Sequence, residues 1–451
     1  MERWTRRWPN VDRRGQRIVV SPNRRYLMYE DGSPFFYLAD TAWQMFQRLD
    51  LESARHYLAD RAAKGFTAIQ AAILAELDPF APNANGDVPL IGDDPTRPNE
   101  AYFAHVDAVV QMANRLGLRM ALLPCWGSYS VDDAPNRVLF PENGRAYGEF
   151  LGRRYRDSDA IWVLGGDRNA VEPRDRDTVA AIAAGLGAGD GGRHLKTYHP
   201  CGPGHSSRMF HDADWLDFNM IQSSHAAHGF DNGSMVAHDR GLEPPKPTLD
   251  GEPRYEGIPA GFYFRGYHPA DRMDDFDARN AGYWAVLAGA CGHTYGHNCI
   301  WQMAMPGVPP VIDAHVPWYE AIHHPGSRQM GYLRRLFETR PVSRLVPAQD
   351  ILIHPPLSVH GPVRAARADD GSFVVVYAPV GEPVTVDLNA MSGRRIAQGW
   401  FDPRNGAYTP IHTGVRGTLT FTPPNSGRGR DWVLVLDDAD AGLPTPGNCP
   451  A

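Results

Sequence analysis

The feature that most constrains the fold of this chain is a repeat of short apolar segments, each followed by a polar loop and usually by a stretch with helical spacing. Eight such segments occur, at residues 35–38, 68–74, 119–124, 160–164, 195–198, 216–221, 247–249 and 292–295. Several are apolar on both faces, as the strands of a parallel sheet covered by helices must be. Eight strand–helix units over about 260 residues are typical of an α/β fold of the (β/α)8 TIM barrel type.

Helical periodicity fills most of the intervals, for example residues 51–64, 102–116 and 278–290. A doubly wound sheet would have fewer units and a glycine-rich phosphate-binding turn, and the sequence has neither a G-x-G-x-x-G nor a Walker A motif. We therefore predict a barrel domain over residues 1–340. Its first ~20 residues are polar and arginine-rich and are expected to form an arm or an edge strand.

The pattern changes after residue 340. Short alternating segments at 372–377, 384–388, 397–401, 418–421 and 432–436 are separated by Gly, Pro and Asn turns, with no helical stretch between them. This pattern is typical of an antiparallel β-sheet structure. We predict a C-terminal antiparallel β-sandwich domain at residues 345–440.

Composition excludes several classes of partner. The net charge is −7 and no basic stripe is present, so neither nucleic acid nor an anionic membrane is an expected partner. The sequence has no run of about 18 apolar residues, which is the length needed to span a bilayer. The five cysteines form no C-x-x-C motif, and no apolar stretch of a secretory signal follows Met1, so we predict reduced thiols and a cytoplasmic location. The sequence does not indicate an oligomeric state.

Two carboxylates follow strands on opposite sides of the predicted barrel. Asp167 follows the fourth strand and Glu252 follows the seventh. Active sites of such barrels lie at the carboxyl ends of the strands, and glycosidic cleavage needs a proton donor and an anion facing each other. Many retaining barrel glycosidases carry the acid on strand four and the nucleophile on strand seven. By this analogy of position, we predict Asp167 as acid/base and Glu252 as nucleophile.

Other polar and aromatic residues follow the same strand ends, and we predict that they bind a sugar. Aromatic rings can stack on the apolar face of a sugar, while amide, imidazole and carboxyl groups can hydrogen-bond its hydroxyls. The predicted substrate-binding residues are Asp40, Trp43, Gln70, Trp126, Arg168, Asn169, His199, Gln222, His225, Tyr255, Glu256, Tyr295, His297 and Trp301. Some of these residues also have a structural interpretation, since a tryptophan can be packing and Asp40 can bond backbone amides. Asp167 of the catalytic pair can likewise cap a turn.

No cofactor or metal is predicted. His293 and His297 are four residues apart, but on a strand-to-loop segment with a glycine between them, and no H-E-x-x-H motif occurs. No serine lies in a G-x-S-x-G motif. Two alternatives stay open: a non-catalytic sugar-binding barrel, and a metal-dependent barrel hydrolase that uses His199, His225, His293 or His297.

Three segments carry a family resemblance, which covers roughly residues 20 to 340. FYLADTAW at 36–43, WVLGGDRN at 162–169 and DGEPRYEG at 250–257 resemble hallmark segments of the apiosidase-like barrel domain, glycoside hydrolase family 140. GWFDPRNG at 399–406 resembles the small β domain that usually follows it and is often named for collagen binding. The resemblance implies that the aspartate of Gly-Gly-Asp and the glutamate of Gly-Glu-Pro, here Asp167 and Glu252, are the catalytic pair.

The same resemblance also implies a substrate class. The founding activity of the family is the release of apiose, a branched pentose, from side chains of plant polysaccharides. The expectation for this chain is an exo-acting retaining glycoside hydrolase that takes a small furanoside or related glycoside or oligosaccharide as its substrate.

Overall fold

The computed structural model describes residues 13–356 and 361–448. A small antiparallel sheet precedes the barrel and consists of β1 (Ile18–Val20), β2 (Leu27–Tyr29) and β3 (Pro34–Phe35). Most of the predicted N-terminal arm, residues 1–12, lies outside the described residues. The part that is described contributes β1, which pairs only with β2 within the described chain.

A nearly closed sheet forms the core of the larger domain. Its parallel strands are β4 (Tyr37–Thr41), β5 (Ala68–Ala72), β6 (Arg119–Leu123), β7 (Ala160–Gly165), β8 (Lys196–His199), β10 (Asn219–Gln222), β11 (Thr248–Asp250) and β12 (Gly292–Tyr295), with the short antiparallel β9 (Gly204–His205) at its edge. The last parallel strand, β12, pairs with the first, β4. A side-chain hydrogen bond links β8 to the segment just before β10: Thr197 Oγ1 donates to the carbonyl of Phe218 at 2.7 Å.

Helices cover the outside of this sheet. They are α1 (Met45–Arg48), α2 (Leu51–Ala63), α3 (Glu100–Arg115), α4 (Pro141–Tyr155), α5 (Pro173–Asp190), α6 (Ser207–Phe210), α7 (Asn232–Arg240), α8 (Asp275–Leu287), α9 (Asn298–Trp301), α10 (Trp318–Ala321) and α11 (Pro325–Glu338). In α2 the Asp50 side chain accepts from the backbone N–H of Ser53, which fixes the start of the helix. No helix in the described part of the chain is long and apolar enough to cross a membrane.

The second domain is a sandwich of two antiparallel sheets. Its strands are β13 (Leu345–Pro347), β14 (Leu352–Ile353), β15 (Arg364–Ala368), β16 (Phe373–Ala378), β17 (Val384–Asp387), β18 (Arg395–Phe401), β19 (Tyr408–Val415), β20 (Thr418–Phe421) and β21 (Trp432–Asp438). The larger sheet has the order β13-β15-β16-β21-β18-β19, and the smaller β14-β17-β20. Buried side chains such as Val376, Val386 and Leu434 fill the core between them. The predicted TIM barrel with a C-terminal β-sandwich is confirmed.

Buried polar contacts join the two domains. The Arg279 guanidinium of α8 donates to both carboxylate oxygens of Asp431, at 3.0 and 2.9 Å. Tyr283, one turn further along α8, stacks on Tyr377 of β16 with ring centroids 4.8 Å apart. Because Arg279 and Asp431 are almost fully buried, this face of the sandwich is part of the folded core and not a loosely attached surface.

Candidate active site

The catalytic aspartate predicted from the sequence lies in an unusual turn. Gly165, Gly166 and Asp167 all have positive φ, at 82°, 126° and 47°. A Cβ on Gly165 would lie 2.6 Å from the carbonyl of His199, and one on Gly166 would lie 2.8 Å from the ring of Trp126. Only glycine fits both positions, and aspartate is one of the residues that tolerates this conformation at the third. The Gly-Gly-Asp sequence therefore turns the chain sharply at the end of β7 and presents the Asp167 carboxyl to the barrel mouth.

Glu252 follows β11 and lies between two histidines. Nε2 of His225 is 3.1 Å from Oε1 of Glu252, and Nε2 of His199 is 3.2 Å from Oε2. The approach of His199 is not aligned for a hydrogen bond, so Oε2 has no hydrogen-bond partner among the described residues. Burial alone would raise the pKa of Glu252, but the two histidines lower it below its ordinary range. Glu252 is thus held as an anion, and Oε2 is its oxygen without an aligned hydrogen bond among the described residues.

The neighbouring backbone determines which nitrogen of His225 carries a proton. The backbone N–H of Tyr255 reaches Nδ1 of His225 at 3.4 Å, so Nδ1 is the acceptor. A proton is then on Nε2, and Nε2 donates to Oε1 of Glu252. The ring of Tyr255 also packs against His225, with centroids 4.5 Å apart.

Two tryptophans hold the other histidine. The ring of Trp43 meets His199 edge to face at a centroid distance of 5.4 Å, and Trp126 lies 6.0 Å from the same ring. The two indoles also contact each other at 5.2 Å. His199 is fully buried by this packing, which fixes it beside Glu252.

The two predicted catalytic carboxylates come together. One oxygen of Asp167, one of Glu252 and a ring nitrogen of His199 lie within 4.8 Å of one another. Burial and the negative charge of Glu252 raise the pKa of Asp167 to about 6, partly offset by His199 and Gln222. The site therefore contains a weak acid and a firmly ionised carboxylate side by side, which are the two groups that glycosidic cleavage uses.

A small cavity opens in front of this pair. Its lining mixes carboxyl groups with aromatic and aliphatic side chains, as sugar pockets do. The lining residues are Trp43, Glu76, Asp167, His225, Glu252, Tyr255, Ile258, Phe262, Trp301 and Ile312. Trp126, His199 and Gln222 lie directly behind this lining, where they contact or influence its members.

The structure contradicts the prediction that Asp40 contacts the substrate. Asp40 is fully buried, and its carboxylate accepts hydrogen bonds from Tyr57 and Arg61 of α2. Its side chain therefore points away from the barrel interior. The next residue, Thr41, points inward, and the Tyr255 hydroxyl donates to its Oγ1 at 3.3 Å. Asp40 anchors a helix.

Gln70 lies inside the barrel but below the cavity. Its Oε1 accepts from the Tyr37 hydroxyl at 3.3 Å, and its Nε2 donates to the carbonyl of Gly251 at 3.0 Å. Both ends of this fully buried amide have protein partners. Gln70 supports the segment that carries Glu252, and its predicted contact with substrate does not agree with this position.

Glu256, Tyr295 and His297 also have internal partners. The Tyr295 hydroxyl and the backbone N–H of Gly326 donate to Oε2 of Glu256, whose pKa burial raises to about 7. His297 accepts from the N–H of Cys299 and pairs with His324 at 2.8 Å. None of the three lines the cavity. The structure therefore does not agree with their predicted substrate contacts, and their side chains bind other parts of the protein.

Arg168 and Asn169 lie at the rim of the site. Nε of the partly exposed Arg168 is 3.4 Å from Asp132 Oδ2, and its Nη1 donates to the carbonyl of Asp167. Asn169 is exposed, and its Oδ1 accepts from the N–H of Cys201. A substrate that extends out of the cavity could reach both side chains.

Sequence reasoning missed four lining residues: Glu76, Ile258, Phe262 and Ile312. Glu76 follows β5 as Asp167 follows β7, but it stands four residues beyond the end of its strand. A carboxylate after a barrel strand is the pattern that could have identified Glu76. The four-residue distance from the end of β5 made this pattern hard to recognise. The other three are in long loops with no periodic pattern to place them.

The histidines named for the metal-dependent alternative do not form one group. His199 and His225 adjoin the cavity, whereas His293 is buried against α8 and His297 pairs with His324. Asp167, His199 and Glu252 have a spacing that could also hold a cation, as do His205, His238 and Asp239 elsewhere in the described chain. In the first cluster the pKa of Asp167 is raised and that of Glu252 is lowered, which is the difference that an acid and an anion need.

Comparisons with known proteins agree with this geometry. The family described as apiosidase-like, catalytic domain, matches residues 21–344, and the one described as "Putative collagen-binding domain of a collagenase" matches residues 346–437. A solved structure described as a glycoside hydrolase has 32% identity and a TM-score of 0.87 over 94% of this chain and 97% of its own. A structure described as a glycoside hydrolase family 5 protein from Bacteroides vulgatus ATCC 8482 has 30% identity and a TM-score of 0.88, over 95% of this chain and 94% of its own. No curated protein sequence is similar enough to count as a match.

The barrel, its paired carboxylates and these relatives define a glycoside hydrolase. More particularly, the chain belongs to the apiosidase-like catalytic domain family, with the collagen-binding-type β domain behind the barrel.

Proposed function

We propose that this glycoside hydrolase is a retaining, exo-acting enzyme with Asp167 as acid/base and Glu252 as nucleophile. The observation that carries the proposal is the approach of an Asp167 oxygen and a Glu252 oxygen to within 4.8 Å. Carboxyl groups about 5 Å apart suit attack by one of them on the sugar, whereas about 6.5–9.5 Å leaves room for a water molecule and inverts the product.

The electrostatics support these roles for the two steps. In the first, Asp167 gives its proton to the glycosidic oxygen while Glu252 attacks the anomeric carbon, the C–O bond breaks and a glycosyl ester forms. Oε2 is the attacking oxygen, because Oε1 accepts from His225. In the second, the Asp167 carboxylate takes a proton from water, the water oxygen bonds to the anomeric carbon, and Glu252 leaves as an anion.

The shape of the cavity supports a small substrate. Ile258, Phe262 and Ile312 bound it with apolar surface, and Trp301 offers a ring on which a sugar could stack. A small cavity accommodates one terminal sugar better than the middle of a chain. Together with the family assignment, this favours a small furanoside or related glycoside released from a chain end. The cytoplasmic location stays a prediction from the sequence.

The test is turnover of a panel of aryl pentosides, aryl hexosides and plant apiosides by the wild type and two variants. Asp167→Ala should lower kcat by about 10²–10⁴-fold, and Glu252→Ala by at least as much. Azide should restore turnover of Glu252→Ala and give a glycosyl azide of inverted configuration, while the wild type gives a retained product by NMR. Glu142→Gln, an exposed change on α4, is the control. Near-normal activity of Glu252→Ala would overturn the assignment, and ligand binding without turnover by the wild type would favour the sugar-binding alternative.

A further inference from the structure

A third carboxyl group lines the catalytic cavity. Glu76 is half-buried on the segment that follows β5, and it shares the cavity wall with Asp167 and Glu252. Neither the acid/base role nor the nucleophile role needs it. A third acid beside two others is electrostatically unfavourable, because each carboxylate disfavours the ionisation of the others. Its presence in the cavity wall therefore needs an explanation.

The backbone around Glu76 is firmly held. The carbonyl of Leu74 accepts from the N–H of Trp126 at 2.9 Å. The carbonyl of Ala75 accepts from the buried hydroxyl of Tyr129 at 3.1 Å. The same loop after β6 therefore orders both Glu76 and Trp126, the indole that packs on His199. Glu76 has a fixed place in the cavity wall.

The carboxyl of Glu76 has no hydrogen-bond partner within residues 13–356 and 361–448. The contrast with neighbouring acids is clear, since Glu252 has His225 and Asp40 has Tyr57 and Arg61. A polar group in a cavity wall that the protein leaves unpaired must find its partner in water or in a ligand. In this cavity the ligand is the sugar.

The charge state of Glu76 follows from its surroundings. Burial first, and then the charges of Asp167 and Glu252, raise its pKa well above the ordinary value, and Arg168 offsets this only in part. The histidines hold Glu252 ionised, so the negative charge of the cluster is concentrated there. Burial and the two neighbouring acids thus both favour the protonated form of Glu76.

We propose that Glu76 is a substrate-recognition residue, which carries a proton in the working enzyme and donates it in a hydrogen bond to a hydroxyl of the sugar next to the bond being cleaved. The inference rests on the proposed function and deepens it by naming the substrate chemistry. A neutral, hydroxyl-rich sugar satisfies the Glu76 carboxylic acid. A uronic acid would bring a further negative charge to an anionic site and is disfavoured.

The first experiment measures the proton directly and needs no turnover. An infrared difference spectrum at pH 7 between wild type and Glu76→Gln should show the C=O stretching band of a protonated carboxylic acid, present in wild type and absent in the variant. Asp78→Asn, which removes an exposed carboxyl group two residues away, is the matched control and should keep that band. Loss of an ionised carboxylate in Glu76→Gln would overturn the proposal.

The second experiment measures the hydrogen bond to substrate. With the best glycoside from the panel, Glu76→Ala should lower kcat/KM about tenfold. Glu76→Gln keeps an N–H donor and should lose less than Glu76→Ala. Within a series of monodeoxy substrates, one deoxy position should cost the wild type about tenfold but cost Glu76→Ala little. Equal losses in both proteins at every position, or wild-type kcat/KM in Glu76→Ala, would overturn the proposal.

The third experiment separates Glu76 from Asp167 by pH. An aryl glycoside with an activated leaving group needs no proton from Asp167 in the first step, so its kcat/KM exposes other ionisations. Wild type should lose kcat/KM at alkaline pH as Glu76 ionises, and Glu76→Gln should not. The same alkaline limb in both would contradict the inference. A wild-type protein that turns over no glycoside contradicts the proposed function instead, and the infrared spectrum still decides whether Glu76 holds a proton.

Discussion

His225 and Tyr255 are joined by two contacts that fix the chemistry of a third residue. The N–H of Tyr255 reaches Nδ1 of His225 at 3.4 Å while the two rings pack 4.5 Å apart. The opposite nitrogen then donates to Glu252, only three residues before Tyr255 in the chain. One loop thus both carries Glu252, the proposed nucleophile, and orients the imidazole that donates to it.

Removal of this imidazole should move the acid side of the pH profile. In His225→Ala, Glu252 loses a hydrogen-bond donor, so its pKa, which is lowered in the wild type, rises. Glu252 must be ionised to attack, so the variant should lose kcat/KM at a higher pH than the wild type as the pH falls. The acid limb should move upward by about one to two pH units, the equivalent of one hydrogen bond to a charged group. His238→Ala, an exposed histidine on α7, is the control, and unchanged acid limbs in both would contradict the role of His225.

The alkaline side of the profile should report Asp167. This residue must be protonated to donate to the leaving oxygen, and its pKa is raised to about 6. With a substrate whose leaving group is poor, kcat/KM should therefore be fully present below pH 6 and fall about tenfold per unit at higher pH. In Asp167→Asn the remaining activity should not show this limb. A wild-type profile that stays flat to pH 8 on such a substrate would exclude Asp167 as the acid.

The turn at the end of β7 should tolerate no side chain. In Gly166→Ala the new Cβ would lie 2.8 Å from the Trp126 ring at a φ of 126°, so we expect a loss of about 1–3 kcal/mol in the free energy of unfolding and a fall in kcat as Asp167 shifts. Gly192 also has positive φ, at 70°, but a Cβ there would have no atom within 4 Å. Gly192→Ala should cost only the strain of a left-handed alanine, about 1–2 kcal/mol, and leave kcat unchanged. Urea unfolding and steady-state kinetics of both variants measure this difference.

The pair between the domains should matter more than a surface pair. Asp431→Ala leaves the buried Arg279 guanidinium without its main partner, so the free energy of unfolding should fall by about 3–5 kcal/mol. Asp440 and Arg395 are both mostly exposed, and Asp440→Ala should cost at most about 1 kcal/mol. Equal effects of the two changes in urea unfolding would show that the interface contributes little to stability.

The order of barrel elements could be predicted because it depends on a signal that repeats along the chain. All eight predicted segments overlap a parallel strand, and the segment 292–295 coincides with β12. Which side chains of each strand point into the barrel could not be predicted in the same way. In a strand buried on both faces, apolar residues do not show which side chains point inward. For this reason the sequence predicts a substrate contact for Asp40 and none for Thr41. In the structure Asp40 faces α2 and Thr41 points inward.

The site could be predicted where a short motif dictates geometry. Gly-Gly-Asp and Gly-Glu-Pro follow their strands directly, and Asp167 and Glu252 come together as expected. Glu76 and Phe262 reach the cavity from segments without a repeating pattern, so their positions depend on tertiary contacts. In the sandwich, β19 was missed because most of its side chains are exposed and Pro410 interrupts it, which leaves no alternation of apolar and polar residues.

The glycine turn before Asp167 also limits how this pocket can be retargeted. The two glycines of this turn accept no side chain, and the third position holds the proposed proton donor. New substrate preferences, whether selected in nature or engineered, must therefore come from other lining positions such as Ile258, Phe262 and Ile312.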